Sequence, residues 1–463
     1  MLIRFNVKNF MIFSARNDGK SEEFSMLAGK ARKKKDHVFD DGNIKLLKFA
    51  AIYGANASGK SSFVRAMGVM KHTVLSNNLP AGYSSMYCKN DSENKRKPSY
   101  FEVEIKLKDR YYTYGFEVLL SEGQFISEWL VELKNDEEKV IFSRDILNGE
   151  TEIFKDFENI SEELRSRLTI YAEDVQKDPT TLFLPIMNRN KDNLYVEDSP
   201  IYIYRAVYEW FAKNLEIIYP QYPISYYGYL IKADNDKVKE VCRLLGAFGT
   251  GITDCQMLKV NIEDVFGNMP PEEIRRVKIA IEKVSQEIKD KHPEEVSMII
   301  KGSNGMFFIL ISEGEKIEFR TVKFVHNDKS ELFNMNEESD GTQRLFDLIE
   351  ILLAAEDKVY VIDELDRCLH PSLTYRFVKE YLALAKNRNV QLVVTTHESR
   401  LMDFDLLRQD EIWMINKSES GAADIYSLDE YNIRFDKKVD KAYLEGRYGG
   451  IPLFSTLFPV EEA

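Results

Sequence analysis

A short glycine-containing segment offers the clearest chemistry in this sequence. The letters GANASGKS, from Gly54 to Ser61, fit the pattern GxxxxGK[ST] of a P-loop, whose backbone N–H groups turn inward around phosphate oxygens. In such a loop Lys60 neutralises phosphate charge and Ser61 binds Mg²⁺. The apolar run FAAIY before the segment and the run SSFVRAMGVMKHTVL after it predict the strand and the helix that a P-loop needs, which a chance glycine-rich turn would lack. The predicted nucleotide-binding residues are Gly54, Ala55, Asn56, Ala57, Ser58, Gly59, Lys60, Ser61 and Ser62.

Two carboxylates follow a second apolar run. The residues from Val359 to Ile362 lead directly into Asp363 and Glu364, as at the end of a buried parallel strand in a Walker B site. Asp363 would hold Mg²⁺, and Glu364 would polarise the attacking water as a general base. An ordinary acidic turn after a strand is the alternative, and the P-loop elsewhere in the chain favours the catalytic interpretation.

A third apolar run, QLVV, ends in Thr395, Thr396 and His397. A histidine at the end of a strand can contact the γ-phosphate of a bound nucleotide and sense its presence. A lone histidine is more often structural, so this prediction depends on its place one strand after the acidic pair. The predicted catalytic residues are Lys60, Glu364 and His397, and the predicted metal ligands are Ser61 and Asp363.

A polar turn, NEESDGTQRL, precedes a segment with apolar residues at helical spacing. One interpretation is a simple helix N-cap, because Ser, Asp and Thr all cap well. The other is an anion site, because a serine hydroxyl and backbone N–H groups at a helix N-terminus suit a phosphate. The residues of this turn that would contact phosphate are Ser339, Asp340, Gly341, Thr342 and Gln343.

The elements that must position these motifs follow from the apolar pattern. Alternation in SYFEVEIKL and YYTYGFEVLL predicts antiparallel strands near the N-terminus. The pattern is mainly helical from about residue 150 to 295, with its longest piece near Pro270 to His292, and two hairpins follow, one turning at Asn304-Gly305. An α/β alternation closes the chain. The predicted divisions are residues 1–150, 151–295 and 296–463, the middle one being a helical insertion for oligomer or partner contact.

Composition places the chain among ordinary globular proteins. Of its 463 residues, 44% are hydrophobic and 30% are charged. The net charge of −13 argues against a broadly basic DNA-binding surface. Two basic runs, KARKKKDH and KNDSENKRKP, are most simply solvated loops, and they leave contact with nucleic acid or an acidic partner open.

Other sequence features bear on location. There is no run of about 18 apolar residues, so we expect no membrane partner. The start, MLIRFNVKNF, lacks the layout of a signal peptide and favours a cytoplasmic protein. Four scattered cysteines show no paired metal spacing and are expected to be buried or inert thiols in a reducing compartment.

The order of the motifs resembles that of the ATP-binding cassette (ABC) ATPases. In that superfamily the turn before the helix is the signature, which binds the γ-phosphate of ATP held by the other subunit. The resemblance implies that Ser339 and Gly341 contact ATP in trans, that ATP and Mg²⁺ are the cofactors, and that two chains pair head to tail. Thr342 and Gln343 depart from the usual continuation, and Asp340 would be unfavourable beside a phosphate unless it points away.

The same resemblance implies a fold. It is an α/β fold, an ABC-type P-loop ATPase head with an antiparallel β lobe and an inserted, mainly helical region. The N-terminal division would carry the P-loop and the β lobe. The C-terminal division would carry the signature, the Walker B acids and the histidine.

Five segments narrow the resemblance: GANASGKS, ESDGTQRL, DELDRCLHP, TTHE and KAYLEGRYGGIPLF. They are similar to segments of stand-alone bacterial defence ATPases related to the overcoming-lysogenization-defect (OLD) and RloC-type proteins, including RloA-like proteins and AriA, the ATPase of the PARIS anti-phage system. This resemblance implies an ATPase, converting ATP and water to ADP and phosphate, that acts as a sensor and scaffold in toxin–antitoxin-like anti-phage defence. The implied partners are a second copy of the chain or a higher symmetric oligomer, a phage-encoded trigger protein and a separately encoded effector such as a Toprim-type nuclease. Few residues follow His397, which favours an effector in trans.

Two other functions share the motif order. A DNA-repair or chromosome-structure ATPase of the RecF or SMC kind is the main alternative. The absence of a long heptad arm argues against the SMC kind, and the acidic balance argues against RecF. A transporter nucleotide-binding subunit is the third, and the large middle segment argues against it.

Overall fold

The structure of the chain is a computed structural model. It describes residues 1–16, 18–30, 33–134, 137–153, 160–191, 194–195, 199, 201–220, 235–261, 266–267, 270–272, 274–279, 281–282, 296–301, 307–313, 316–326, 331–353, 357–418, 420–431 and 439–451. The predicted turn at Asn304-Gly305 lies outside the described residues, as does much of the predicted helix between Pro270 and His292.

Strands and helices are numbered along the chain. The strands are β1 (Leu2–Lys8), β2 (Glu22–Ser25), β3 (Val38–Asp40), β4 (Lys45–Leu47), β5 (Phe49–Tyr53), β6 (Ser99–Leu107), β7 (Arg110–Leu119), β8 (Gln124–Lys134), β9 (Glu137–Asp145), β10 (Glu150–Ile153), β11 (Leu215–Ile218), β12 (Ile252–Val260), β13 (Val296–Lys301), β14 (Phe307–Glu313), β15 (Lys316–His326), β16 (Leu332–Asn334), β17 (Val359–Ile362), β18 (Gln391–Thr395), β19 (Ile412–Lys417) and β20 (Ala423–Ser427). The α-helices are α1 (Lys60–Ser76), α2 (Glu162–Val175), α3 (Phe183–Asn188), α4 (Tyr202–Glu209), α5 (Asn235–Ala247), α6 (Asp340–Leu353), α7 (Pro371–Ala385) and α8 (Val439–Leu444).

A mostly parallel sheet carries the predicted chemistry. Its strand order is β11-β17-β18-β5-β19-β20, and only β20 runs antiparallel to its neighbour. Every residue of β5, β17 and β18 is buried, as expected for near-continuous apolar runs in a parallel sheet. Because these three strands are adjacent and parallel, the P-loop, the acidic pair and the histidine segment all leave the same edge of the sheet.

A second, antiparallel sheet packs on the P-loop helix. Its strand order is β10-β9-β8-β7-β6-β1-β2. The ring of Phe63 on α1 lies 5.7 Å from that of Phe5 on β1 and 5.1 Å from that of Phe24 on β2. These edge-on aromatic contacts join the lobe to α1 in one hydrophobic core. The predicted α/β head with an antiparallel β lobe is therefore confirmed.

The chain divides into two compact units. The first comprises Met1–Tyr219, Ala355–Leu365 and Leu382–Ala463, and contains both sheets described above. The second comprises Pro220–Ala354 and Asp366–Tyr381. Its antiparallel sheet has the order β12-β15-β14-β13, with β16 paired to β15.

Aromatic contacts hold the second unit together. The rings of Phe324 on β15 and Phe346 on α6 lie 5.7 Å apart, which ties the helix after the polar turn to this sheet. The rings of Phe248, just after α5, and Phe377 on α7 lie 6.4 Å apart. The helix that begins at the polar turn is therefore anchored within this unit.

The two units do not coincide with the predicted divisions 1–150, 151–295 and 296–463. Residues 151–219 lie in the unit of the P-loop, and the second unit contains strands as well as helices. The segment Leu215–Ile218, which falls in the range predicted to be mainly helical, is β11 and pairs in parallel with β17. A four-residue apolar run is too short to distinguish a strand from a helix by its period.

The cysteines also differ from expectation. Cys242 on α5 and Cys255 on β12 form a disulfide, whereas Cys88 is a buried thiol and Cys368 an exposed one. The spacing of these two cysteines in the sequence matches no known disulfide or metal motif. The packing of α5 against β12 brings them together. The expectation of four separate thiols was therefore wrong for this pair.

A buried ion pair fastens the β lobe to α2 and α3. Arg144 and Glu128 are both almost fully buried, and an Nη1–Oε2 distance of 3.1 Å joins them. Glu128 also accepts hydrogen bonds from the backbone N–H groups of Phe183 and Leu184 and from the Tyr114 hydroxyl. Burial raises the pKa of Glu128, while Arg144 opposes this rise.

Arg144→Met should lower the free energy of unfolding by about 3–5 kcal/mol, because it leaves the Glu128 carboxylate buried without its cation. Urea unfolding of the purified chain measures this. The matched control is Arg96→Met, which breaks an exposed pair with Glu93 and should change little. Equal stabilities of the two variants would show that the buried pair does not hold the lobe.

Candidate functional site

The P-loop lies between β5 and α1, as predicted. A Cβ atom added to Gly54 would lie 2.6 Å from the Ile415 carbonyl oxygen, and one added to Gly59 would lie 2.9 Å from Ile12 Cγ1. Gly59 also has a φ of +115°. Both positions therefore require glycine, the first because of close packing against β19 and the second because of its backbone as well.

Other loop residues show how the loop is held. Ala57 has a φ of +61°, an unusual conformation for a residue with a side chain. The Lys60 ammonium donates hydrogen bonds to the carbonyl oxygens of Gly54 (2.8 Å) and Ala55 (3.1 Å). Within the described residues, the buried Ser58 hydroxyl has no hydrogen-bond partner. The ammonium group of Lys60 is thus held by backbone carbonyl oxygens of its own P-loop.

The acidic pair meets the P-loop helix directly. Asp363 is buried, and its Oδ1 atom accepts a hydrogen bond of 3.1 Å from Ser61 Oγ at the start of α1. The same Oδ1 atom accepts a hydrogen bond of 2.7 Å from Thr395 Oγ1 at the end of β18. The structure therefore brings together the two predicted metal ligands, although they lie far apart in the sequence.

Glu364 has a strained backbone. Its φ is +52°, in the left-handed region that favours glycine, and such strain is concentrated at functional sites. Its backbone N–H donates a hydrogen bond of 2.8 Å to Thr395 Oγ1. Its side chain is only partly buried and therefore accessible to a water molecule.

His397 follows β18 and is exposed. The backbone next to it is anchored, because Thr396 donates from its N–H to Ile52 O on β5 (3.1 Å) and the Tyr53 hydroxyl donates to Glu398 O (3.2 Å). The strand of the P-loop thus holds the segment that carries the histidine.

The polar turn has the geometry of a helix N-cap. Ser339 Oγ accepts a hydrogen bond of 3.2 Å from the Thr342 N–H and lies 2.9 Å from Thr342 Oγ1. The N–H of Gln343 donates to Ser339 O (2.9 Å), and its side chain donates to Glu338 O (3.0 Å). The cap interpretation is therefore correct, and it does not exclude anion binding by the same helix N-terminus.

Gly341 and Asp340 complete the description of this turn. A Cβ atom added to Gly341 would lie 3.0 Å from the carbonyl oxygen of Cys368, so the turn packs closely on the segment after the acidic pair. Asp340 is exposed, which removes the need to bury its charge. The turn and the chain segment Asp366–Cys368 therefore form one packed surface within the second unit.

Residues 441–451, the described part of the segment KAYLEGRYGGIPLF, lie against the P-loop. A Cβ atom added to Gly450 would lie 3.4 Å from the Cα atom of Gly54. The Tyr443 hydroxyl donates to Gly450 O (3.0 Å), and the Tyr443 ring lies 5.7 Å from that of Tyr53. In the sequence this segment is notable only for its similarity to segments of the defence ATPases. Nothing in its composition predicts that it lies beside a phosphate-binding loop.

The residues present fit a nucleotide and a magnesium ion. The Ser58 hydroxyl, which has no hydrogen-bond partner in the described part of the chain, and the two glycine positions match a phosphate cradle. Ser61 and Asp363 offer hard oxygen ligands, and two protein ligands suffice for Mg²⁺, which usually keeps several waters. Across the described ranges, no group of three or more His, Cys, Asp or Glu side chains is placed to hold a metal.

A membrane-crossing helix is also missing from the part of the chain that the structure describes, since none of its helices combines enough length with enough apolar character.

Heads of SMC proteins are among the solved structures to which the chain is similar. One is the SMC head bound to the C-winged helix domain of ScpA, with 12% identity, a TM-score of 0.40, and coverage of 92% of this chain and 97% of that chain. The SMC head domain from Thermotoga maritima has 13% identity, a TM-score of 0.32, and coverage of 92% and 98%. The SMC head with an extended coiled coil bound to the C-terminal domain of ScpA, derived from Pyrococcus furiosus, has 13% identity, a TM-score of 0.35, and coverage of 96% and 99%.

No curated protein matches the sequence. One family model matches residues 49–228 and 265–403, well over half of the chain, and it includes the P-loop, the acidic pair and the histidine. The chain therefore belongs to the family described as "AAA domain, putative AbiEii toxin, Type IV TA system".

Proposed function

We propose that this chain hydrolyses ATP as the sensor and scaffold of a bacterial anti-phage defence system, and that it controls a separately encoded effector through ATP-dependent head-to-tail dimerisation. The observation that carries the ATPase part is the cluster of Ser61, Asp363, Glu364 and Thr395 at one edge of the parallel sheet. The family description, which names a toxin of a toxin–antitoxin system, supports a role in defence.

The residues of the cluster would act as follows. Lys60 would exchange its hydrogen bonds to the loop carbonyls for phosphate oxygens, while Ser61 and Asp363 would hold the metal. Bound Mg²⁺ supplies neutralisation of phosphate charge. Glu364 would accept the proton of the attacking water, and His397 would contact the γ-phosphate side of the site.

The signature would act on the ATP of a second copy. The N-terminus of α6, with the Ser339 hydroxyl, offers an anion site on a surface of its own unit. Pairing of two chains head to tail would complete each site with the partner's signature. We therefore propose a homodimer, or a higher symmetric oligomer, in which each ATP site takes its signature from a partner.

Ser339→Arg should leave ATP binding intact and lower ATP turnover by about 10–100-fold, because the bulky arginine side chain prevents the signature from closing on the partner's nucleotide. Phosphate release and binding of a fluorescent ATP analogue measure the two effects. The matched control, Asn336→Arg, places the same charge on an exposed residue just upstream and should leave both unchanged. Full turnover in Ser339→Arg would argue against a signature that acts in trans.

The proposed partners can be tested directly. The tagged chain is purified from cells that carry its native neighbouring genes, in ATP and Mg²⁺, and is analysed by mass spectrometry and native mass determination. A stoichiometric nuclease-like protein in a discrete symmetric assembly in the cytoplasmic fraction supports the sensor–scaffold role. A homodimer with co-purifying DNA and no protein partner would instead favour a DNA-repair ATPase.

A further inference from the structure

The hydroxyl of Thr395 joins the two acidic residues of the site. Thr395 is the last residue of β18 and is fully buried. Its Oγ1 atom donates a hydrogen bond to Asp363 Oδ1 (2.7 Å) and accepts one from the Glu364 N–H (2.8 Å). A hydroxyl has one hydrogen to donate, so the bond to Asp363 fixes its orientation.

The backbone of Thr395 adds a third contact. Its carbonyl oxygen accepts a hydrogen bond of 3.0 Å from the Leu365 N–H. Thr395 therefore holds two successive N–H groups of the chain after β17. These lie on either side of the Glu364 side chain, whose residue has the unfavourable φ of +52°.

The hydrogen bonds of Thr395 begin where the regular pairing of β17 with β18 ends. The last paired residues of β17 and β18 are Ile362 and Val394. Beyond this pair the chain turns away at Asp363, and a side-chain hydroxyl replaces the regular backbone pairing. The strain at Glu364 is thus opposed by bonds to one neighbouring residue.

We infer that Thr395 is a positioning residue for ATP hydrolysis, which keeps Asp363 aligned with Ser61 and holds Glu364 in its strained, productive conformation. The inference rests on the proposed ATPase function. In this role Thr395 would act through Asp363 and Glu364, and not by binding the nucleotide or the metal itself. Because β18 continues into His397, the same residue links the histidine segment to the position of the general base.

Thr395→Val tests this inference, because it removes the hydroxyl and keeps the shape. We expect the turnover number to fall by about 10–100-fold, while the dissociation constant for ATP changes less than about threefold. The Mg²⁺ concentration that half-saturates binding of a non-hydrolysable fluorescent ATP analogue should rise, since Asp363 loses its alignment. Thr395→Ser restores the hydroxyl and should recover both values.

Thr73→Val is the matched control. Thr73 is also a fully buried threonine, on α1, and its hydroxyl has no hydrogen-bond partner within the described residues. This variant should leave turnover and Mg²⁺ dependence unchanged. It measures the effect of removing a buried hydroxyl that makes no hydrogen bond to the acidic pair.

The outcomes separate the inference from the function on which it rests. Unchanged turnover and Mg²⁺ dependence in Thr395→Val, with an active wild type, would overturn the inference alone. Loss of turnover in both Thr395→Val and Thr395→Ser would also overturn it, because the methyl group and not the hydroxyl would then matter. A wild type that binds Mg²⁺–ATP without hydrolysing it would contradict the proposed function, and a shifted Mg²⁺ dependence in Thr395→Val would still support the link to Asp363.

Discussion

Replacing Glu364 by glutamine should abolish ATP hydrolysis and leave ATP binding intact. The side chain keeps its size and its position after β17, so the strained backbone and the bond to Thr395 remain. An amide cannot accept the proton of the attacking water, and loss of a general base typically costs about 10²–10⁴-fold in rate. The ATP-bound, paired state should therefore accumulate.

Phosphate release measures the turnover of Glu364→Gln, and light scattering with and without ATP measures the pairing. Glu380→Gln is the matched control, because Glu380 is an exposed glutamate on α7 that forms a surface ion pair with Arg376. It should retain full turnover. Wild-type turnover in Glu364→Gln would remove Glu364 as the general base.

Lys60→Ala should weaken ATP binding by roughly 10–100-fold and eliminate hydrolysis, because charge-assisted bonds to phosphate are lost. Lys60 is buried, and its ammonium group donates hydrogen bonds to carbonyl oxygens of the P-loop. In the proposed defence role, cells that carry this variant should also lose protection in a phage-plating assay. The effect differs from that of Glu364→Gln, which should retain the nucleotide.

Titration with a fluorescent ATP analogue measures the affinity of Lys60→Ala. Lys20→Ala is the control, because Lys20 is an exposed lysine paired with Asp18 and should not affect binding. Unaltered affinity in Lys60→Ala would mean that the P-loop does not bind the nucleotide. Intact protection would mean that nucleotide binding is not needed for defence.

Much of the parallel sheet is predictable from the sequence because its strands are continuous apolar runs with polar ends. The predicted bounds of β17 and β18 agree with the structure, since each apolar run ends where polar residues begin. The order of the motifs then places the P-loop and the acidic pair at one edge. Their direct contact, between Ser61 and Asp363, needs the parallel pairing that only the structure shows.

Other features depend on contacts between residues distant in sequence. The segment Leu215–Ile218 becomes a strand because it pairs with β17, much later in the chain. The sequence indicates only that Thr395 ends a strand. Its inferred role depends on the two hydrogen bonds of its hydroxyl, which the structure shows. A threonine at the end of the strand next to an acidic pair is the signal that could have indicated it.

The measurement that tests the central claim most directly mixes two variants with impaired turnover, Lys60→Ala and Ser339→Arg. A mixed dimer combines the intact P-loop of one copy with the intact signature of the other, and so contains one complete site. Equal amounts should recover about a quarter of the wild-type rate, since about half of the dimers are mixed and each has one of its two sites complete. No recovery in a sample whose native mass shows mixed dimers would contradict an ATP site shared between two copies.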